Sequence, residues 1–215
     1  MKLYQVTDTK LRSLEARWRT VLNRVRGPIP MGLAIAHMNA ESNGETDPPI
    51  TDATRRPRGL MQISRRDGVR WGVKENDLIN TTKNLYVWCN KTNRDAELLH
   101  DTYTAWTKAG QDFWASVRFV SIVGRINFDK LVSGAVASKS TNAITATLQA
   151  YIRANNVRVG RFSRRDLRRI ADHLDEVFHA MTIIDGPNKV SNAFTAPPAV
   201  TPGNVTTGLG SAIVL

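Results

Sequence analysis

Residues 81–106 read TTKNLYVWCNKTNRDAELLHDTYTAW. Leu85, Trp88, Cys89, Thr92, Ala96, Leu99, Tyr103 and Trp106 recur there at steps of three and four. That spacing places one apolar stripe along an α-helix and is incompatible with the two-residue alternation of a strand. Asn80 supplies an N-cap, and the pattern carries to Gly110, with a break near Asn90–Asp95 left open. It is the clearest periodicity in the chain.

The same spacing extends outward in both directions. Leu11, Leu14, Trp18, Val21, Leu22 and Val25 form a helical stripe with arginines on the other face. Gly27-Pro28-Ile29-Pro30 breaks the chain, and Pro30 suits the first turn of the next helix, Met31 to Ser42. That helix sets Met31, Ile35 and Met38 on one face, while Gly32 and its alanines allow close packing. Asn43-Gly44 provides a left-handed stop. Residues 44–58, with three prolines and Arg55, Arg56 and Arg58, read as a surface loop. Ser64 and Asp67 resemble a capping box that opens a short helix ending by Gly72. Further helices are expected near 112–123, 126–138 and 141–154, and a last one from a cap at Ser163 through Leu167, Ile170, Leu174, Val177 and Met181. The fold class is therefore mostly α. From about Gly186 the composition shifts to Pro, Ala, Thr, Gly and Asn, which leaves little to bury.

Thirty Lys and Arg against nineteen Asp and Glu give a formal charge of +11, which attracts polyanions as a class. Cys89 is the lone cysteine, so no internal disulfide forms, and no Cys/His cluster has zinc-ligand spacing. No run approaches the roughly 20 apolar residues of a membrane helix. The N-terminal segment lacks the apolar region of a secretory signal. Arg158, Arg161, Arg164, Arg165, Arg168 and Arg169 offer a contact to DNA; a solvated or protein-docking face is the other reading.

The residue that carries chemistry is Glu41. A helix C-terminus bears partial negative charge, and apolar surroundings act in the same direction; both disfavour an ionised carboxylate. A general acid needs that bias to hold its proton near neutral pH. Eighteen residues on comes Gly59-Leu60-Met61-Gln62. There glycine allows close backbone approach, methionine an adaptable apolar wall, and glutamine an amide for an N-acetylated sugar. Trp71 follows the loop as a candidate for stacking on a sugar. Trp88 and Trp106 read as core, Cys89 as a small core residue, and His37 as a structural histidine one turn before Glu41.

Glu41-Ser42 at a helix end, then Gly59-Leu60-Met61-Gln62-Ile63, then Asn84 ahead of a long helix, resembles the soluble lytic transglycosylase domain, with goose-type lysozymes similar in fold. The resemblance covers roughly residues 29–125. It implies a lysozyme-like helical domain in which Glu41 is the lone acid and later base. Cleavage would fall between N-acetylmuramic acid and N-acetylglucosamine of bacterial peptidoglycan, leaving a 1,6-anhydro end, with no cofactor. Ser42 would support the carboxylate, and Gly59, Leu60, Met61 and Gln62 would line the sugar cleft. One departure stands out. Where the family carries a Tyr-Asn-Ala-Gly segment, this chain has Arg118-Phe119-Val120-Ser121-Ile122-Val123-Gly124. Ser121 is the polar group offered there, and Tyr103 or Tyr86 are hydroxyls offered from elsewhere. A two-carboxylate hydrolase would need a second acid about 5 Å away for retention or about 6.5–9.5 Å for inversion, for which Glu45, Asp47 and Asp52 are the candidates.

The expected organisation is an N-terminal helix (1–28), a catalytic core (29–125), helices completing the domain (126–185) and an extended tail (186–215). A wall-cutting enzyme without a signal fits carriage in a bacteriophage particle, acting in the host periplasm or cell wall, with the tail docked on other virion proteins. The competing expectation is a tail or internal virion structural protein that keeps the fold with little or no activity. Because the tail has few apolar groups, deleting residues 187–215 is expected to shift the melting temperature by less than about 2 °C. A larger drop in a thermal unfolding scan would refute this.

Overall fold

The computed structural model describes residues 6–48, 57–103, 110–135 and 143–186. Within them lie eight α-helices: α1 (Asp8–Val25), α2 (Met31–Ser42), α3 (Arg65–Arg70), α4 (Thr81–Thr102), α5 (Gly110–Val123), α6 (Arg125–Ala135), α7 (Ile144–Ala154) and α8 (Arg164–Asp185). A 3-10 turn spans Glu75–Ile79. Among the described residues the only extended pairings are two isolated bridges, Arg58 with Ile63 and Val159 with Phe162. The fold is mostly helical, and no described helix is long and apolar enough to cross a membrane. The tail, Asp52 and Trp106 lie outside the described residues.

Local signals account for most helix ends. Ser163 and Asp166 form a reciprocal capping box at the start of α8. Ser64 Oγ accepts from the Asp67 amide at 3.1 Å, and the Asp67 carboxylate meets the same hydroxyl at 2.8 Å. Asn80 caps α4. Asn43 and Gly44 both take positive φ at the end of α2, as the sequence predicts. In α4 one open point closes and one expectation needs correcting. The α4 helix runs unbroken through Asn90–Asp95, where Asn90 donates to the Tyr86 carbonyl and Lys91 pairs with Asp95 one turn on. It also stops at Thr102 instead of reaching Gly110, because Tyr103 leaves helical geometry.

The larger correction concerns α2. The sequence places its apolar residues on one face, yet every residue of α2 except Glu41 is buried. It packs against α8, α1 and α5, and the core runs continuously from Leu11 to Met181 around it. The α2 and α8 helices approach closely at Gly32, where an added Cβ would lie 2.5–2.6 Å from the backbone of Ala180 and Met181. Asp185, the last residue of α8, accepts from the amides of Met31 and Gly32 at 3.0 and 2.8 Å. It thereby caps α2, whose own N-cap is a proline with no side-chain bond. Gly32→Ala is expected to cost about 1–3 kcal/mol by overpacking, read as a lowered denaturation midpoint. An unchanged midpoint would mean α2 and α8 can separate without penalty.

Candidate active site at Glu41

Because α2 is enclosed on nearly all sides, Glu41 is where the helix opens to solvent. Its side chain is 28% exposed. Oε1 accepts from Arg118 Nη2 at 2.8 Å, and Arg118, on α5, is itself only 4% exposed. The guanidinium thus approaches from the core side. Arg118 Nε donates to His173 Nε2 on α8 at 3.1 Å, and Nη1 reaches Ser121 Oγ at 3.4 Å. Since an arginine Nε–H can only donate, His173 Nε2 must accept and the imidazole carries its proton on Nδ1. Nδ1 lies 3.1 Å from Glu176 Oε2 and donates to it. The result is a chain Glu41–Arg118–His173–Glu176 that passes from the partly exposed Glu41 through the buried Arg118 and His173 to the partly exposed Glu176.

The second half of the site is the turn Gly59–Gln62. Arg58 and Ile63 exchange backbone bonds at 3.0 and 2.9 Å, and Gln62 N bonds Gly59 O at 3.0 Å. Gly59 has φ +71°, and a Cβ there would lie 2.2 Å from Leu78 O and 2.5 Å from Asn84 Nδ2. Glycine is therefore needed for packing against the Leu78 carbonyl and Asn84. That asparagine, fully buried in the first turn of α4, accepts from Met61 N at 2.7 Å and donates to Arg58 O and Leu78 O, both at 2.8 Å. His37, one turn before Glu41, donates Nε2–H to Met61 O at 3.2 Å and meets Trp88 edge-on at 5.3 Å. This bond ties the turn to the helix that carries Glu41.

The candidate residues divide accordingly. Glu41 and Ser121 come together around Arg118. Ser42 does not reach its neighbour's carboxylate in the expected way: it is buried, bonding Met38 O at 3.1 Å and accepting from Gly44 N at 3.2 Å, so it closes the helix end. Leu60 and Met61 are buried in the core, backbone included, and the Met61 amide and carbonyl are taken by Asn84 and His37, so neither residue lines a sugar cleft as expected. Gln62, with φ +47°, bonds Gly59 O through its amide at 2.9 Å. Trp71 ends α3 and packs half-buried against the core. Tyr103 is corrected: its hydroxyl donates to Asp129 at 2.7 Å, and burial raises its ionisation above the ordinary phenol range. Tyr86 has its ionisation raised by burial as well. Glu45 and Asp47 are exposed in the loop, Asp47 lying 3.9 Å from Arg58.

Cys89 is a buried core thiol pushed upward by desolvation. Arg158, Arg161, Arg164, Arg165 and Arg169 are exposed, whereas Arg168 is half-buried and donates to the Arg153 carbonyl at 2.9 Å.

Arg118 and His173 were not singled out from the sequence. A lone arginine within Phe113–Val123, otherwise nearly free of charge, was the available signal, since a buried cation requires a partner. His173 likewise sits on the apolar stripe between Ile170 and Val177.

Comparison with protein-family models, curated proteins and solved structures found no match to this chain.

Burial lowers the protonation of His37 and His173 from the ordinary imidazole value, and Arg118 acts in the same direction on both. The unfolded chain binds protons on them near pH 6.5, whereas the folded chain resists. Their contribution to stability is then complete above about pH 6.5 and is lost as the pH falls below it. The urea midpoint is expected to fall between pH 7.5 and 5.5, and less so in His173→Gln. A midpoint constant over that window would contradict the neutral, buried assignment.

Proposed function

We propose that this chain cleaves the N-acetylmuramic acid–N-acetylglucosamine bond of bacterial peptidoglycan, with Glu41 as a single acid and base in a lysozyme-like helical domain. One observation carries the reading: in a helix whose other residues are all buried, the one position that opens to solvent bears a carboxylate. The turn Gly59–Gln62 is tied to the same helix by the bond from His37 to the Met61 carbonyl. A proton donor at the rim of a firmly built edge suits a polymer substrate that must be protonated at a fixed bridging oxygen.

In this reading protonated Glu41 delivers its proton to the glycosidic oxygen as the bond to the muramic acid anomeric carbon breaks. The carboxylate then takes the proton of the muramic acid 6-hydroxyl as that oxygen closes on the anomeric carbon, giving the 1,6-anhydro end. The enzyme is then a lyase without a cofactor. Water attacking in place of the hydroxyl would make it a lysozyme. Carriage in a phage particle for local wall opening, docking through the C-terminal tail and contact with DNA through the arginines of 158–169 belong to the same proposal.

A second reading, a virion structural protein of this fold with little or no activity, draws on one observation. Where the resembled family has its Tyr-Asn pair, Arg118 occupies the carboxylate as an ion-pair partner.

Digestion of purified peptidoglycan by wild type and Glu41→Gln, with products read by mass spectrometry, separates these readings. The expected result is anhydro-muropeptides from wild type and at least a roughly 100-fold loss in the variant. Reducing-end products would make the activity hydrolytic. A folded wild type that releases neither product would favour the structural reading.

A further inference from the structure

Resting on the assignment of Glu41 as the acid, we propose that Arg118 is its positioning residue. Arg118 fixes Oε1, so that Oε2 is the oxygen that carries and recovers the proton, and His173 braced by Glu176 keeps the guanidinium aimed.

The two oxygens of Glu41 are not equivalent. Oε1 accepts a charge-assisted bond from Arg118 at 2.8 Å, whereas among the described residues Oε2 has no hydrogen-bond partner. An oxygen already engaged by a guanidinium is the poorer base, so the proton of the neutral acid goes on Oε2. Each of the three guanidinium nitrogens has a partner: Nη2 bonds Glu41, Nε bonds His173, and Nη1 makes a longer contact with Ser121 at 3.4 Å. Rotation of the guanidinium would break these bonds, and at 4% exposure it has little solvent to replace them. His173 is completely buried, and its Nε2 lone pair faces the guanidinium because Glu176 holds the Nδ1 proton at 3.1 Å. Lysine would preserve the charge but not the fork, and so could not hold Glu41 and His173 together.

The decisive experiment measures kcat and KM on soluble glycan strands for wild type, Arg118→Lys, His173→Leu, His173→Gln and Glu176→Leu. Thermal unfolding of each and 15N NMR of the His173 ring accompany the kinetics. Arg118→Lys and His173→Leu are expected to lower kcat by roughly 10- to 100-fold with KM within about 2-fold, as for a misaimed catalytic group. His173→Gln, whose carbonyl oxygen accepts from Arg118 Nε, should recover most of the loss. The wild-type ring should show the Nδ1–H tautomer, and Glu176→Leu should abolish that preference. If Arg118→Lys fails to fold, the His173 pair and the half-exposed Glu176 decide the matter.

Unchanged kcat in His173→Leu and Glu176→Leu, with Glu41→Gln inactive, would overturn the positioning role and leave the acid assignment standing. A rise in KM at constant kcat would make Arg118 a substrate-binding group and equally overturn it. A folded wild type that cleaves nothing would remove the acid assignment, and this role with it.

Discussion

The close crossing of α2 and α8 at Gly32 is the constraint on which the rest depends. Two helices normally stand 8–10 Å apart at the separation their side chains impose. With no Cβ at Gly32, the backbone of Ala180 and Met181 comes within what would be a clash for any other residue. Asp185 then lies over the start of α2 and satisfies two amides that Pro30 cannot. With α1 and α5 on its remaining sides, α2 has one outlet, at its final turn. The position of Glu41 is a consequence of that enclosure. Mobility in α2 would be transmitted directly to the carboxylate.

The enclosure creates an electrostatic problem that the site solves locally. A guanidinium in a protein interior loses several kcal/mol of hydration unless its donors are met. Arg118 is met by a carboxylate, an imidazole and a hydroxyl. Burial and the Arg118 charge both oppose protonation of the two buried histidines, His37 and His173, so neither adds a second cation beside the Arg118 guanidinium. Each neutral imidazole also has a fixed tautomer: His37 donates to Met61 O, and His173 accepts from Arg118. Both bonds bridge elements that bear on Glu41, one toward the Gly59–Gln62 turn and one toward α8. Acidification acts against both at once.

Several features of the fold recur as interactions between distant segments. The amides at the start of α7 meet the Asp112 carboxylate of α5, at 3.2 Å each, since Ala143 offers no side-chain cap. Asn84 likewise joins three backbone groups, the Met61 amide and the Arg58 and Leu78 carbonyls. A side chain that satisfies amides or carbonyls dozens of residues away leaves no local pattern to read. The uninterrupted α4 belongs to the same class: a polar run such as Asn90–Asp95 reads as a break until its side chains find partners along the helix and in the core.

What the sequence determined by itself is whatever depends on neighbours within one helical turn: the helical class, the stripes of α1, α4 and α8, the caps at Ser64, Asn80 and Ser163, the left-handed stop at Asn43-Gly44, and Glu41 as the acidic residue ending an apolar helix. The glycine of the Gly59–Gln62 turn was legible as well, although the pressure on it comes from Asn84. Tertiary structure alone decided that α2 is buried except at Glu41, that Ser42 and Tyr103 spend their hydroxyls away from the carboxylate, and that Arg118 meets Glu41 with His173 behind it. The physical reason is that burial and ion pairing are set by which segments fold against each other. Arg118 and Glu41 are 77 residues apart, and no local periodicity encodes a partner at that range.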